Sequence, residues 1–442
     1  MAEALATQIL AILFCLSAAA AAARTKSYFF NSQDNTSVSF LNANDGICKS
    51  VVEPKGYACQ EHTVTTKDGY ILSIQRVPSG LSGQAADKPP VLLQHGLMMD
   101  GVTWLMNLPE QSLAFILADN GYDVWIANSR GTRFSRGHTS LKPIESVLYI
   151  FLHHLTPNLS SQFNILSCFM SVSAWPDRIE PSLCWAFPDE LRQTLTSFQG
   201  TLIALAAFSQ EKLLNMLRSA ALLSPIAYLN HLSSPLARGI IDLFLAEDLY
   251  WLGVHEFAPR EGQAVNKLLE DFCSKPGINC SDIVTPITGP NCCLNSSVTN
   301  EFLEYEPHST ATKNLIHLAQ MARTGTIAMD VHFDELACWN WELKEANHPE
   351  AVALPPAAER HDDQLYNMAS IPNDLPLFLS YGGKDYLSDV KDVQALLENL
   401  KDHDGDKLVV QYIDEYAHAD FVLGMNANRI VFDPLMAFFK IN

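Results

Sequence analysis

The order of apolar and polar positions along the chain predicts short strands separated by helices. Residues 57–78 hold two strand-like runs joined across Asp68-Gly69, a turn signal typical of a β-hairpin. Residues 90–94 and 122–127 are short apolar runs, as expected for buried parallel strands, and a helical pattern at 113–120 lies between them. A strand, a helix and a second strand of these lengths form a βαβ unit, so the sequence predicts a parallel sheet and an α/β fold.

The second half of the chain repeats this pattern around one long insertion. Residues 226–330 are mostly helical in pattern and lie between core strands, which is typical of a cap over a binding site. The core elements that we predict around this cap are a helix at 201–217, strands at 220–223, 375–381 and 407–413, and a final helix at 430–439.

Two stretches of the chain lack a clear pattern. Residues 138–199 contain no glycine in 62 consecutive positions, whereas about three are expected at the rate of the whole chain. Parallel α/β segments use glycine at turns between strands and helices, so the local signals in this stretch conflict. Residues 331–370 are also atypical. We therefore divide the chain into a signal peptide at 1–23, the first part of an α/β core at 24–225, the cap at 226–330 and the second part of the core at 331–442.

The net charge and residues 1–23 limit which partners and which cellular location the chain can have. The chain has 442 residues and a formal net charge of -20, which argues against a nucleic-acid partner because such binding neutralises phosphates with Lys and Arg. Residues 1–23 are apolar and Ala-rich and predict a secretory signal peptide, with an uncleaved membrane anchor as the alternative. We predict no later membrane span. Glycosylation sequons at Asn35, Asn158 and Asn295 fit the secretory pathway and an extracellular, vacuolar or lysosome-like destination.

The cysteines are consistent with an oxidising compartment. Cys48 and Cys59 bracket a short loop and are one candidate disulfide. A second group lies in a stretch rich in Pro, Gly and Asn and is expected to supply at least one more bond. A zinc site in that group is disfavoured, because its spacings form no paired C-x₂-C units and no histidine lies close by. We predict no metal site. The members of the second group are Cys273, Cys280, Cys292 and Cys293.

Candidate chemistry lies at the ends of the predicted strands. Hydrolysis of an ester needs an attacking oxygen, a histidine base, a carboxylate that orients the base, and N–H donors for the developing oxyanion. Asp385 and His418 each follow a predicted strand and are 33 residues apart in the order acid, then base. Either residue alone is as readily structural, but the pair favours catalysis. The N–H groups of Leu97 and Gln199 suit an oxyanion hole, with ordinary turns as the alternative interpretation.

Five motifs together indicate a family. They are Val91-Leu92-Leu93-Gln94-His95-Gly96-Leu97, Asn128-Ser129-Arg130-Gly131-Thr132, Gly200-Thr201, Ser380-Tyr381-Gly382-Gly383-Lys384-Asp385 and Tyr416-Ala417-His418-Ala419-Asp420-Phe421. On these motifs the chain resembles the acid lipase family of the α/β-hydrolases, which comprises gastric and lysosomal lipases and their plant triacylglycerol or steryl-ester lipase relatives.

The resemblance implies a fold, a reaction and a set of roles. The fold is an α/β-hydrolase fold with a mostly helical cap, and the reaction is hydrolysis of lipid carboxylic esters at a lipid–water interface through an acyl-enzyme on serine, without a cofactor. The resemblance makes Asp385 the acid and His418 the base of the triad, and it makes Leu97 and Gln199 the oxyanion donors.

The sequence departs from this family at the nucleophile. The family pattern Gly-His-Ser-x-Gly is replaced by Thr196-Ser197-Phe198-Gln199-Gly200, so Phe198 stands at the serine position. Ser197 is one residue out of register, which displaces its hydroxyl by several ångströms, and a misplacement of about 1 Å already costs about a hundredfold in rate. A translated intron or altered splice near Gly200 would explain the departure. The alternatives are a catalytically dead lipid-binding protein on the same scaffold and a misfolded or non-expressed product.

Overall fold

The computed structural model of the chain describes residues 46–66, 69–140, 193–197, 199–211, 214, 217–251, 256–257, 281–328 and 365–442. Several predicted features lie outside these ranges: the signal peptide, Asn35, Asn158, Cys273, Cys280, Phe198, and most of the two atypical stretches.

Within the described ranges, nine strands form one mixed sheet and two form a small separate sheet. The strands in chain order are β1 Gln60–Thr65, β2 Tyr70–Val77, β3 Lys88–Gln94, β4 Tyr122–Ala127, β5 Gly137–His138, β6 Gln193–Ser197, β7 Ser219–Leu223, β8 Glu256–Phe257, β9 Thr310–Ala311, β10 Leu377–Gly382 and β11 Leu408–Ile413.

The sheet has the predicted parallel core. Its order is β1-β2-β4-β3-β6-β7-β10-β11, with β5 paired to β2 and the β8–β9 pair forming the small sheet. β2 runs antiparallel to β1 and β4, which confirms the hairpin, and every pair from β4 to β11 along this order is parallel. β4 and β7 are buried at every position, as expected for central strands covered on both faces.

Helices pack on both faces of this sheet. The α-helices of the described ranges are α1 Leu113–Asp119, α2 Gln199–Ser209, α3 Pro235–Asp242, α4 Leu245–Trp251, α5 Ser281–Thr288, α6 Ser296–Tyr305, α7 Thr312–Thr324, α8 Val390–Asn399, α9 Asp420–Leu423 and α10 Asp433–Ile441. Alternate residues of one strand point to different cores: Phe378 packs with α1 and α10, whereas Leu377 and Leu379 pack with α2 and α8. The α/β architecture is therefore confirmed.

In the middle of the chain, one prediction was wrong and one core strand was missed. The helix predicted at 201–217 ends at Ser209, where Glu211 donates to the Phe208 carbonyl at 3.0 Å and adopts φ 57°, a left-handed conformation that ends a helix. The atypical stretch 138–199 ends in a core strand that sequence reasoning missed. This strand, β6, pairs in parallel with both β3 and β7.

Cysteine pairing follows the prediction where the structure describes it. Cys48 and Cys59 form a disulfide, and Cys292 is bonded to its neighbour Cys293, so the second cysteine group supplies a bond as expected. The described part of residues 226–330 is mostly helical, from α3 to α7. The division of the chain into core and cap stays a prediction.

Close packing of the turn after β10 gives a first prediction. A Cβ on Gly382 would overlap the Tyr416 carbonyl oxygen and lie 3.1 Å from the Phe421 ring, so Gly382→Ala forces backbone to move. We expect it to lower the free energy of unfolding by about 3 kcal/mol, measured by urea denaturation. Gly239→Ala is the matched control. No atom lies within 4 Å of its new Cβ, so α3 should be unchanged or stabilised by up to about 1 kcal/mol. Equal midpoints for the two variants would contradict this packing.

Candidate active site

Asp385 and His418 come together at the carboxyl edge of the parallel sheet. Asp385 follows β10 and His418 follows β11, and the His418 Nδ1 atom lies 2.9 Å from Oδ2 and 3.1 Å from Oδ1 of Asp385. The Asp385 side chain is fully buried and the His418 side chain is 10% exposed. The two side chains are therefore hydrogen-bonded to each other close to the protein surface, at the edge of the sheet where their strands end, as expected from their positions in the sequence.

The carboxylate of Asp385 determines which ring nitrogen of His418 is the donor. A carboxylate accepts hydrogen bonds, so His418 Nδ1 donates to Asp385, and in a neutral imidazole Nε2 is then the acceptor nitrogen. The same carboxylate accepts from the backbone N–H groups of Leu387 at 2.9 Å and Ser388 at 2.8 Å. These bonds fix its orientation, which in turn orients the imidazole.

Backbone bonds connect the two turns that bear this pair. Gly383 N–H donates to the Ile413 carbonyl at 3.0 Å, and Lys384 N–H donates to the Tyr416 carbonyl at 3.0 Å. Tyr416 is fully buried. The close approach that requires glycine at 382 thus sets the distance between the turns.

A segment of the predicted cap, residues 288–293, also holds both turns. The Thr288 carbonyl accepts from His418 N–H at 3.1 Å and from Tyr386 N–H at 3.3 Å. Asn291 Oδ1 accepts from Ala419 N–H at 3.1 Å. The position of His418 therefore depends on this segment as well as on β11.

Asp420 is a supporting residue that the sequence placed only near His418. Its fully buried carboxylate accepts from the N–H groups of Ala417 at 2.8 Å, Cys292 at 3.1 Å and Cys293 at 3.0 Å. A buried carboxylate needs such donors to offset its desolvation. It joins the His418 turn to the cap segment, and no local sequence signal identifies its distant partners.

A strand and a helix also meet at the position where the family pattern would place its nucleophile, the strained strand-to-helix turn called the nucleophile elbow. β6 ends at Ser197 and α2 begins at Gln199, so a single position, Phe198, joins them. Ser197 still belongs to β6 and is in register with Leu223 of β7. A Cβ on Gly200 would lie 3.0 Å from Gln94 Cγ and 3.1 Å from the His95 carbonyl oxygen. Glycine at 200 thus lets α2 begin against the end of β3.

The turn after β3 presents Leu97, one predicted oxyanion donor; we call residues 95–100 the Leu97 turn. His95 is buried, its Nε2 accepts from Ser129 N–H at 2.9 Å, and its Nδ1 donates to the Gly96 carbonyl at 2.7 Å. Both bonds need a neutral imidazole protonated on Nδ1. Accordingly, burial lowers the pKa of His95 to about 4. This histidine therefore supports the turn rather than transferring protons. Sequence reasoning did not assign that role to His95 or Ser129.

Known proteins match almost the whole chain. A family model described as the partial α/β-hydrolase lipase region matches residues 48–108. Triacylglycerol lipase 2 of Arabidopsis thaliana is 42% identical over 403 residues, which cover 90% of this chain and 88% of that protein. The chain belongs to the acid lipase family of the α/β-hydrolases. Gastric triacylglycerol lipase of Rattus norvegicus is 29% identical and covers 86% of this chain and 88% of its own length.

A solved structure supports the fold of this family. A candidate lipase from Sulfolobus solfataricus matches with a TM-score of 0.52 and 12% identity, covering 87% of this chain and 94% of that one. This likeness concerns the fold alone, and it agrees with the α/β-hydrolase fold that the motifs predicted. In the described residues of this acid lipase family member, no helix is long and apolar enough to cross a bilayer.

Two groups of side chains among the described residues place metal-ligand atoms within 4.8 Å of one another. In the first, Cys292 and Cys293 are bonded to each other, so neither offers a thiolate, and Asp420 is engaged by backbone N–H groups. The second consists of Asp100, Glu306 and His308, and Arg133 Nη2 lies 3.3 Å from Asp100 Oδ2. A guanidinium there neutralises carboxylate charge that a cation would need, so we assign no metal to either group.

The low pKa of His95 predicts a loss of stability in acid. The unfolded chain binds a proton on this histidine below about pH 6.5, whereas the folded chain does so only below about 4. The unfolded state therefore binds more protons between these values, and the free energy of unfolding falls as the pH is lowered through them. The full contribution is on the order of 3 kcal/mol.

His95→Asn should remove this part of the pH dependence, measured by urea unfolding at several pH values between neutral and about 4. His62→Asn, a change at a partly exposed histidine of β1, is the control and should keep the slope of the parent chain. An unchanged slope in His95→Asn would show that His95 is not the buried neutral group described.

Proposed function

We propose that this chain is by descent a hydrolase of lipid carboxylic esters in which His418 is the general base and Asp385 orients it. The observation that most supports this role is the hydrogen bond of 2.9 Å between His418 Nδ1 and Asp385 Oδ2 at the carboxyl edge of the sheet. The names of its relatives, triacylglycerol lipases, favour triacylglycerols as the substrate class. The disulfide Cys48–Cys59 fits an oxidising, secretory compartment.

The family reaction needs a hydroxyl at the elbow. The serine oxygen would attack the ester carbonyl while His418 Nε2 takes its proton; Nε2 would then protonate the leaving alcohol, and water would cleave the acyl-enzyme by the same path. The N–H groups of Leu97 and Gln199 would stabilise the oxyanion. Asp385 would stabilise the imidazolium that forms in each half.

Phe198 interrupts this sequence of steps. Without a hydroxyl at this position, no acyl-enzyme forms there, and His418 could only deprotonate a water that attacks the ester directly. We therefore expect the chain as given to bind lipid esters and to hydrolyse them slowly, through the oxyanion donors and substrate binding alone. The second candidate function, a lipid-binding protein without hydrolysis, rests on this same substitution.

Restoring the serine gives the sharpest test. β6 and α2 flank position 198 as an elbow requires, so we expect Phe198→Ser to raise kcat/KM for a short-chain chromogenic ester by at least about 100-fold. Thr196 carries a Cβ where the family has glycine, so Thr196→Gly should add to this gain. His418→Ala in the Phe198→Ser background should abolish it. The gain would then depend on the proposed base.

Ser197→Ala is the matched control. It should leave the low rate of the parent chain unchanged, because Ser197 belongs to the β6 ladder and stands one residue before the elbow position. Robust turnover by the parent chain that is lost in Ser197→Ala would instead identify Ser197 as the nucleophile. Binding of a lipid ester with no gain in Phe198→Ser would favour the lipid-binding function.

The messenger RNA across codons 138–200 distinguishes the origins of the atypical stretch. A shorter message that encodes Gly-His-Ser-x-Gly ahead of Thr201 would mean a working lipase produced by a different splice. A message that encodes the stretch as given would mean that the nucleophile was lost in this protein.

A further inference from the structure

The Leu97 turn has a backbone conformation that its own sequence does not favour. Met98 adopts φ 58°, in the left-handed region where a residue with a long side chain is costly. Such conformations persist where surrounding contacts fix them, and they concentrate at functional sites. The contacts that fix this turn therefore bear on how the Leu97 N–H is presented.

Two of these contacts come from the predicted cap. His308 N–H donates to the Met98 carbonyl at 2.7 Å, and Glu306 Oε1 accepts from Asp100 N–H at 3.1 Å. Glu306 lies 206 residues after Asp100 in the chain, between α6 and β9. The cap residues thus bond the backbone at Met98 and again two residues later.

Buried polar contacts keep Glu306 and His308 in place. The carboxylates of Asp100 and Glu306 are fully buried, and His308 Nε2 lies 2.8 Å from Asp100 Oδ2 and 3.4 Å from Glu306 Oε2. These contacts place the His308 ring against both buried carboxyl groups. Arg133 places a cation 3.3 Å from Asp100 Oδ2.

Burial by itself would raise the pKa of Asp100, but His308, Arg133 and the Val102 N–H together hold it below its usual value. Asp100 is therefore an anion in the folded protein. A buried Asp100 carboxylate is stable only while its partners stay close, so we expect Asp100, His308 and Arg133 to keep or lose these contacts together.

We propose that Glu306 and His308 are positioning residues, which hold the Leu97 turn in the conformation that aims the Leu97 N–H at a substrate oxyanion. The role of Leu97 rests on the proposed function. In this proposal the cap segment around residues 306–308 completes the oxyanion hole. Movement of this segment away from the Leu97 turn would break its two hydrogen bonds and let the turn relax from its strained conformation.

Amide hydrogen exchange tests the positioning without relying on activity. In Glu306→Ala we expect exchange at the amides of Met98–Asp100 to rise at least about tenfold, because an acceptor is lost and the strained turn is freed. In Glu306→Gln the Oε1 acceptor remains, and the rise should stay below about threefold. Amides of β4 report global opening and should change equally little in both variants.

Glu247→Ala is the matched control. Glu247 is another largely buried cap carboxylate, paired with Arg323 in the cap and separate from the Leu97 turn. Its loss should leave exchange at Met98–Asp100 within about threefold of the parent chain. A rise at these amides no larger in Glu306→Ala than in Glu247→Ala, or one matched by β4, would overturn the proposal.

Kinetics in the Phe198→Ser background provide the second measurement. Glu306→Ala should lower kcat at least about tenfold while KM changes less than about threefold, since an oxyanion donor acts in the transition state. An active Phe198→Ser enzyme whose kcat is insensitive to Glu306→Ala would overturn the positioning role. Should Phe198→Ser prove inactive, the proposed function fails by itself, and localised exchange in Glu306→Ala would still support the hold on the turn.

Discussion

Parallel pairing of β10 with β7 and β11 is the constraint on which the active-site geometry depends. The pairing starts at Leu377 against Leu408 and brings the carboxyl ends of β10 and β11 to one edge. Gly382 then allows the two following turns to approach within backbone contact, and their mutual N–H bonds bring Asp385 to His418. A side chain at 382 would separate the turns, so the acid–base pair follows from strand register and from the absence of one Cβ.

Residues of the predicted cap contribute hydrogen bonds to the candidate site. Residues 288–293 accept hydrogen bonds from the turns that carry Asp385 and His418. In the same segment, the N–H groups of Cys292 and Cys293 donate to the buried carboxylate of Asp420. Residues 306–308 make the corresponding contacts with the Leu97 turn. Hence each half of the candidate site, base and oxyanion turn, rests on a core strand on one side and on the insertion on the other. A movement of these cap residues would therefore alter the position of both halves.

At the predicted elbow, the backbone elements that the family uses are present, but its sequence pattern is not. β6, α2 and Gly200 provide the strand, the helix and the close approach that an elbow needs, although the sequence before Gly200 has lost the family pattern. Backbone pairing of β6 between β3 and β7 accepts many side chains, because a parallel strand is held by its peptide groups. Nucleophilic attack, in contrast, requires a side chain with a nucleophilic atom, such as a hydroxyl oxygen, at position 198. Fold and chemistry therefore tolerate substitution very differently at this junction.

Sequence alone determined the α/β class, the hairpin, the proximity of Asp385 and His418 and the departure at Phe198, because each depends on local periodicity or on short motifs. It missed β6, whose residues lack a turn glycine before them, and it extended α2 beyond Ser209, where a left-handed residue ends the helix. Only the tertiary structure decided that His95 is a neutral support, that Asp420 bonds Cys292, and that Glu306 reaches Asp100. Such contacts join residues far apart in the chain, and the burial that gives them their strength exists only after the sheet and the cap have come together.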